Sequence, residues 1–176
     1  MKLRVLLTAL ASICFCSCDS SNSAGTAGSG AAANDDPKTV VEAFTKEGAD
    51  TKALTAALKP DKKDYAAVFS DSLAPKVEAA HAPMWEQNPA IGPKPGQTVA
   101  RITAKVTSAD IKAWNANAEA NLPGGYKKIK DEFRDGLTLY KFDFVEPGKD
   151  AGMSFDILVN VNGHWRFFPK PWRVAQ

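Results

Sequence analysis

The sequence predicts an α+β domain in which N-terminal helices pack on a curved antiparallel sheet, the sheet ending in a C-terminal three-strand meander. Three observations predict it. Apolar residues recur at helical spacing between Val40 and Trp85, apolar and polar residues alternate from Val99 to Thr107 and again from Leu137 to Phe168, and Asn162-Gly163 stands between two of the alternating runs.

The helices start at Asp36-Pro37, an N-cap acceptor followed by proline at the first helical position. Val40, Val41 and Phe44 mark one face, and Gly48 is the stop. A short helix over 51–58 ends before Pro60, and a second over 61–69 carries Tyr65, Val68 and Phe69. The stretch from Ser72 to Trp85 puts Leu73, Val77, Ala80 and Met84 on one stripe, with Pro83 ending or kinking it. Three prolines make 88–96 a loop. Val99 to Thr107 is a half-buried strand facing inward with Ala100, Ile102, Ala104 and Val106. Ser108 caps a helix with Ile111 and Trp114 that ends near Leu122-Pro123. A short amphipathic helix over 126–133 places Lys127/Asp131 and Lys128/Glu132 at i,i+4 on a solvated face.

The last third reads as strands over 137–146, 153–161 and 164–168. Asn162-Gly163 joins the last two as a tight hairpin. Phe155, Ile157, Val159 and Val161 share one face of the central strand. Trp165 and Phe167 alternate with His164 and Arg166 on its partner. The tail Pro169-Lys170-Pro171-Trp172 folds back so that Trp172 and Val174 cover the core.

This element order, the ending Val161-Asn162-Gly163-His164-Trp165-Arg166-Phe167, the region 65–85 and the run Pro123-Gly124-Gly125-Tyr126-Lys127-Lys128-Ile129 resemble the nuclear transport factor two-like superfamily, also called cystatin-like. The resemblance covers roughly residues 37–174. It implies a curved sheet wrapped around helices as a cone, with a cavity lined here by Tyr140, Phe142, Phe144, Phe155, Trp165 and Phe167. The segment 108–133 departs from the minimal pattern and is placed to cap or fill the cavity mouth.

The N-terminus supplies an address. Lys2 and Arg4 precede the apolar run VLLTALASICF, a signal-peptide arrangement too short for the roughly 20 residues that span a bilayer. All three cysteines, Cys14, Cys16 and Cys18, close that run. Phe15-Cys16-Ser17-Cys18 is similar to the lipobox of bacterial lipoproteins, with small residues at the two positions before the cysteine and Phe15 where leucine is usual. The resemblance implies lipid on Cys18 and a membrane-anchored protein of the cell envelope. Secretion without a lipid and an uncleaved signal anchor are the alternatives. Residues 20–35 are almost wholly Ser, Gly, Ala, Thr and Asn, a tether composition. The expected organisation is therefore a signal peptide over 1–17, a tether over 18–35 and one domain over 36–176.

Loss of Lys2 and Arg4 with the signal leaves 20 basic against 20 acidic residues, a balance that does not favour nucleic acid. A body without cysteine has no disulfide and no thiolate metal site. Two distant histidines, His81 and His164, do not make a transition-metal site, and the aspartates lack calcium-loop spacing. Phosphate-loop and Gly-x-Ser-x-Gly signatures do not occur. His81 reads as a packed histidine and His164 as exposed beside a hairpin. Enzymes of the resembled superfamily set a carboxylate in an apolar cavity, which nominates Asp143 and Asp156, with Tyr140 nearby. Strand parity opposes them to the aromatics, so with the aromatics inward both face water. The alternation of His164, Arg166, Lys170 and Arg173 with Trp165, Phe168 and Trp172 reads as a sheet edge with a packed tail, membrane-surface contact being its functional alternative.

Three function classes follow. The first is a non-catalytic binding or scaffold module without cofactor, taking an apolar small molecule or an envelope protein. The second is a small enzyme of cyclase, isomerase or dehydratase type that uses a strand aspartate. The third is an interaction module assembling through its sheet.

Overall fold

The computed structural model describes residues 36–175; the signal segment, Cys18 and the tether lie outside the described residues. The first helix, α1 (Pro37–Glu42), begins where Asp36 accepts a hydrogen bond from the Lys38 N–H at 2.9 Å. One 3₁₀ turn, Ala43–Thr45, follows, and Val41 and Phe44 are buried. Asp50 caps α2 (Thr51–Ala57), and a reciprocal Asp61/Asp64 capping box starts α3 (Lys62–Val68). Pro83 lies inside α4 (Ala74–Glu86) without ending it: so near the C-terminus it removes a bond only from the last turns.

The buried stripe of α4 is Val77, His81 and Trp85, while Ala80 is exposed and Met84 only half-buried. The expected stripe through Ala80 and Met84 is off by one position. A stripe drawn through apolar residues passes over a histidine that the fold buries with both ring nitrogens bonded.

After β1 (Val99–Thr107), the chain breaks the single expected helix into α5 (Ser108–Ala113) and α6 (Ala116–Asn121), because Trp114 adopts a left-handed φ of 48°. Thr107, not Ser108, is the cap of α5. Its Oγ1 accepts from the Asp110 N–H at 3.1 Å, and the Asp110 carboxylate accepts in return from the Thr107 N–H at 2.8 Å. Gly124–Glu132 is 3₁₀, so the i,i+4 charge pairs do not form; Glu132 instead accepts from Ser70 and Ser72, while Lys127, Lys128 and Asp131 remain exposed.

The strands β2 (Thr138–Val145), β3 (Gly152–Val161) and β4 (His164–Phe167) complete one antiparallel sheet in the order β1-β2-β3-β4. Asn162 and Gly163, at φ 53° and 80°, both take the left-handed conformation that a two-residue hairpin requires. Helices thus precede and interrupt a sheet whose last three strands form a meander, an α+β fold.

Two irregularities decide what each face carries. The β1–β2 register shifts between Ile102 and Ala104, and the β2–β3 register between Tyr140 and Phe142. In the second, Tyr140 faces Leu158 but Phe142 faces Phe155, so Asp156 and Ile157 together stand opposite Lys141. Ile157 takes a φ of 57° there. The expected single face of Phe155, Ile157, Val159 and Val161 is therefore split. Ile157, Val159 and Val161 join Leu139 and Val106 in one core beneath α3, α5, α6 and the 3₁₀ segment. Phe155 joins Phe142, Phe144, Leu158, Trp165 and Phe167 in a second core with Val41, Phe44 and Trp85. Both faces of the sheet are covered.

The tail closes the first core. Its 3₁₀ turn, Pro171–Ala175, lays Trp172 and Val174 against it, as expected from the sequence. Gly125 permits this, since a Cβ there would lie 2.4 Å from the Trp172 ring.

Candidate functional site

The aromatic residues expected to line a central cavity mostly fill it. Phe142 and Phe144 are fully buried with ring centroids 5.7 Å apart, Phe142 stacks on Phe155 at 5.1 Å, and Tyr140 meets Trp165 edge-on at 5.7 Å. Of the six, Phe155 and Phe167 line the cleft at the rim of the sheet.

The open space is a cleft of about 510 Å³ created by unequal strand lengths. β4 pairs with β3 only over Leu158–Val161, so the first half of β3 has no strand neighbour on that side among the described residues. Beyond β4 the Phe168 N–H donates to the Ile157 carbonyl at 3.1 Å, and the chain then swings away at Lys170, whose φ is 49°. The gap is bounded by Ala80, His81 and Met84 of α4, by Ile91, by Met153, Phe155 and Asp156 of β3, and by Phe167, Pro169, Lys170, Arg173 and Val174 toward the tail. Ala80 and Met84, displaced from the buried stripe, supply one wall.

His81 is packed, as expected, and its bonding fixes its tautomer. Nε2 lies 2.8 Å from the Pro169 carbonyl, which only accepts, so Nε2 carries the hydrogen and Nδ1 accepts from the Tyr65 hydroxyl at 3.1 Å. Burial lowers the His81 pKa to about 4, against the opposing pull of the Pro169 carbonyl. Neither nitrogen is free to take a proton from a ligand.

Asp156 is the polar group without a settled partner. No hydrogen bond reaches its carboxylate from the described residues. Burial pushes its pKa up, Lys141 and Lys170 pull it down, and Asp143 adds to the rise. The expectation that it faces water is corrected: the two-for-one register against Lys141 brings it to the cleft wall, half-buried. The nearby Tyr126 hydroxyl is buried with no hydrogen-bond partner, and burial together with the Asp156 charge raises its pKa well above 10.

Asp143 does not face water either. It is buried in a cross-strand row with Arg101 and Ser154, accepting from the Ser154 hydroxyl at 2.6 Å with an Arg101 nitrogen 3.8 Å away. His164 is half-buried, and its Nε2 lies 3.1 Å from Asp64. Asp64 also accepts from Arg166 Nε at 2.6 Å, Asn162 Nδ2 at 2.8 Å and the Asp61 N–H at 3.0 Å. Burial would raise Asp64, but the Asp61, Arg166, Asn162 and His164 bonds outweigh it and hold its pKa at about 2. This staple pins α3 to the β3–β4 hairpin.

Among the described residues, no group of three or more His, Cys, Asp or Glu is placed to hold a metal ion, and no helix is long and apolar enough to cross a membrane. No family model, no curated protein and no solved structure matches the chain.

Sequence reasoning named Asp156 and His81 but placed neither at a cleft. It weighed Lys170 and Arg173 as part of a packed tail, and although the strand bounds and Pro169 mark where β4 stops short of the start of β3, they do not show which residues flank the gap.

Proposed function

We propose that the chain is an exported, lipid-anchored envelope protein whose domain binds an apolar or amphipathic small molecule in this cleft without turning it over. The observation that carries the reading is an apolar cleft of about 510 Å³, within the range of about 300–1,000 Å³ usual for small-molecule sites, beside a histidine whose two nitrogens are both engaged. The lipobox-like Cys18 and the tether composition support the anchor. The order of helices and meander supports assignment to the nuclear transport factor two-like superfamily, with its cavity moved to the rim.

The neutral dye N-phenyl-1-naphthylamine tests the binding reading. Wild type should bind it with enhanced fluorescence, and Met84→Arg, a charge placed on a half-buried cleft wall, should abolish the signal while leaving the melting temperature near that of wild type. Equal binding by the variant removes the cleft from the reading.

A second reading, acid–base catalysis, is favoured by one observation, the raised and unbonded Asp156 carboxyl near the orphaned Tyr126 hydroxyl. A substrate screen of wild type against Asp156→Asn and Asp143→Asn separates the two. Turnover that collapses in Asp156→Asn establishes the enzyme, and dye binding retained in both variants without turnover supports the binding module.

A further inference from the structure

Resting on the binding reading above, we propose that the cleft selects a single-chain amphiphile with an anionic head, its chain against α4 and β3 and its head between Lys170 and Arg173.

The walls define the chain. Met84, Ile91, Met153, Phe155, Phe167 and Val174 offer apolar surface, and the two methionines adapt to a flexible occupant. At roughly 30 Å³ for a group the size of a water molecule or a methylene, the cleft takes about 17 such groups. That is room for one chain of about a dozen carbons with its head.

The rim defines the head. Lys170 and Arg173 are exposed on the cleft rim, and neither lies within ion-pair distance of a carboxylate among the described residues. The guanidinium of Arg173 lies 5.9 Å from the Trp172 ring centroid, which steadies it beside the cleft. The carboxylate on the wall does not cancel these charges. Burial raises the Asp156 pKa while Lys141 and Lys170 lower it, so one carboxylate on the wall stands among three cations, Lys141, Lys170 and Arg173. A cationic head would instead meet the two rim cations Lys170 and Arg173.

The test uses full-length protein carrying Cys18→Ser, so that no attached lipid competes, and displacement of bound N-phenyl-1-naphthylamine. The competitors share a twelve-carbon chain and are kept below micelle formation: laurate, an anionic lauroyl lysophospholipid, dodecanol and dodecyltrimethylammonium. Laurate, the lysophospholipid or both should displace the dye at least about ten-fold more tightly than the cationic competitor, the expected sum of two exposed charge contacts, and the stronger of the two anions identifies the source of the head. Raising the salt concentration should narrow that gap. The double variant K170E/R173E, with its own dye affinity measured first and each competitor referred to it, should lose or invert the preference. Equal displacement by all four heads, or an unchanged preference in the double variant, overturns the anionic class while leaving the binding reading intact. Failure of wild type to bind the dye overturns the binding reading itself, and this inference with it.

Discussion

His81 and Asp64 are both buried, and each ties the fold to pH in its own window. His81 is held at a pKa of about 4, against about 6.5 for the unfolded side chain, so between those values the unfolded chain binds the extra proton. Stability from this group is complete above about pH 6.5 and falls as pH drops toward 4, by about 3 kcal/mol. Asp64 works in the next window. Its carboxylate, held at about 2 against 3.8, contributes stability that is complete above its unfolded value and is lost as pH falls through 2, by about 2 kcal/mol. Denaturant titrations at pH 7, 5, 4 and 2.5 should therefore show two successive losses. His81→Gln, less stable at pH 7 because it breaks the Tyr65–Pro169 bridge, should show almost no loss between pH 6.5 and 4. A slope equal to that of wild type in that variant would assign the first loss to other groups.

The element that shapes the site is the junction of the bulged β3, the short β4 and the tail. Ile157 sits at a left-handed φ that costs a β-branched residue on the order of 1–3 kcal/mol, offset by its full burial and by the Phe168 hydrogen bond. The tail is clamped at Gly125 under the Trp172 ring. Gly125→Ala should therefore push Trp172 off the first core, costing about 1–3 kcal/mol. The same change should red-shift tryptophan emission and weaken dye binding, since Arg173 and Val174 move with the ring. Unchanged emission would mean that the tail is not held there. These elements mark how far the sequence could be read. The helix start at Asp36-Pro37, the Asn162-Gly163 turn and the returning tail were legible because each rests on local chemistry: a cap with a fixed proline φ, a left-handed pair, an aromatic next to prolines. The face carried by Phe155 and Ile157 was not. Alternation propagates parity along a strand, and one extra residue resets it without a mark in the sequence. The stripe of α4 failed for a related reason, since His81 is buried by its bonds and not by its hydropathy. The cleft escaped because it depends on how α4, Ile91 and the tail flank the gap beyond the short β4, which is a matter of tertiary packing.

At the scale of the whole molecule, the two cores are closed within the described residues, and both faces of the sheet are covered. Val99 stands out as an exposed large apolar side chain among them, so outside the cleft the domain presents little apolar surface for another segment to cover. On the reading proposed above, residues 1–35 would deliver and attach the domain and not complete it. Their composition agrees, because residues 20–35 offer no large apolar side chain to a core. A chain beginning at Asp36 is therefore expected to melt within about 2 °C of the full-length protein carrying Cys18→Ser, a difference of well under about 1 kcal/mol. The wild-type chain is expected in the membrane fraction with lipid on Cys18 by mass spectrometry, and the Cys18→Ser chain in the soluble fraction. A melting temperature lowered by about 10 °C in the shortened chain would show that the N-terminal residues pack on the domain. An unmodified Cys18 in a soluble wild type would remove the anchor and leave the cleft to be judged on its own binding.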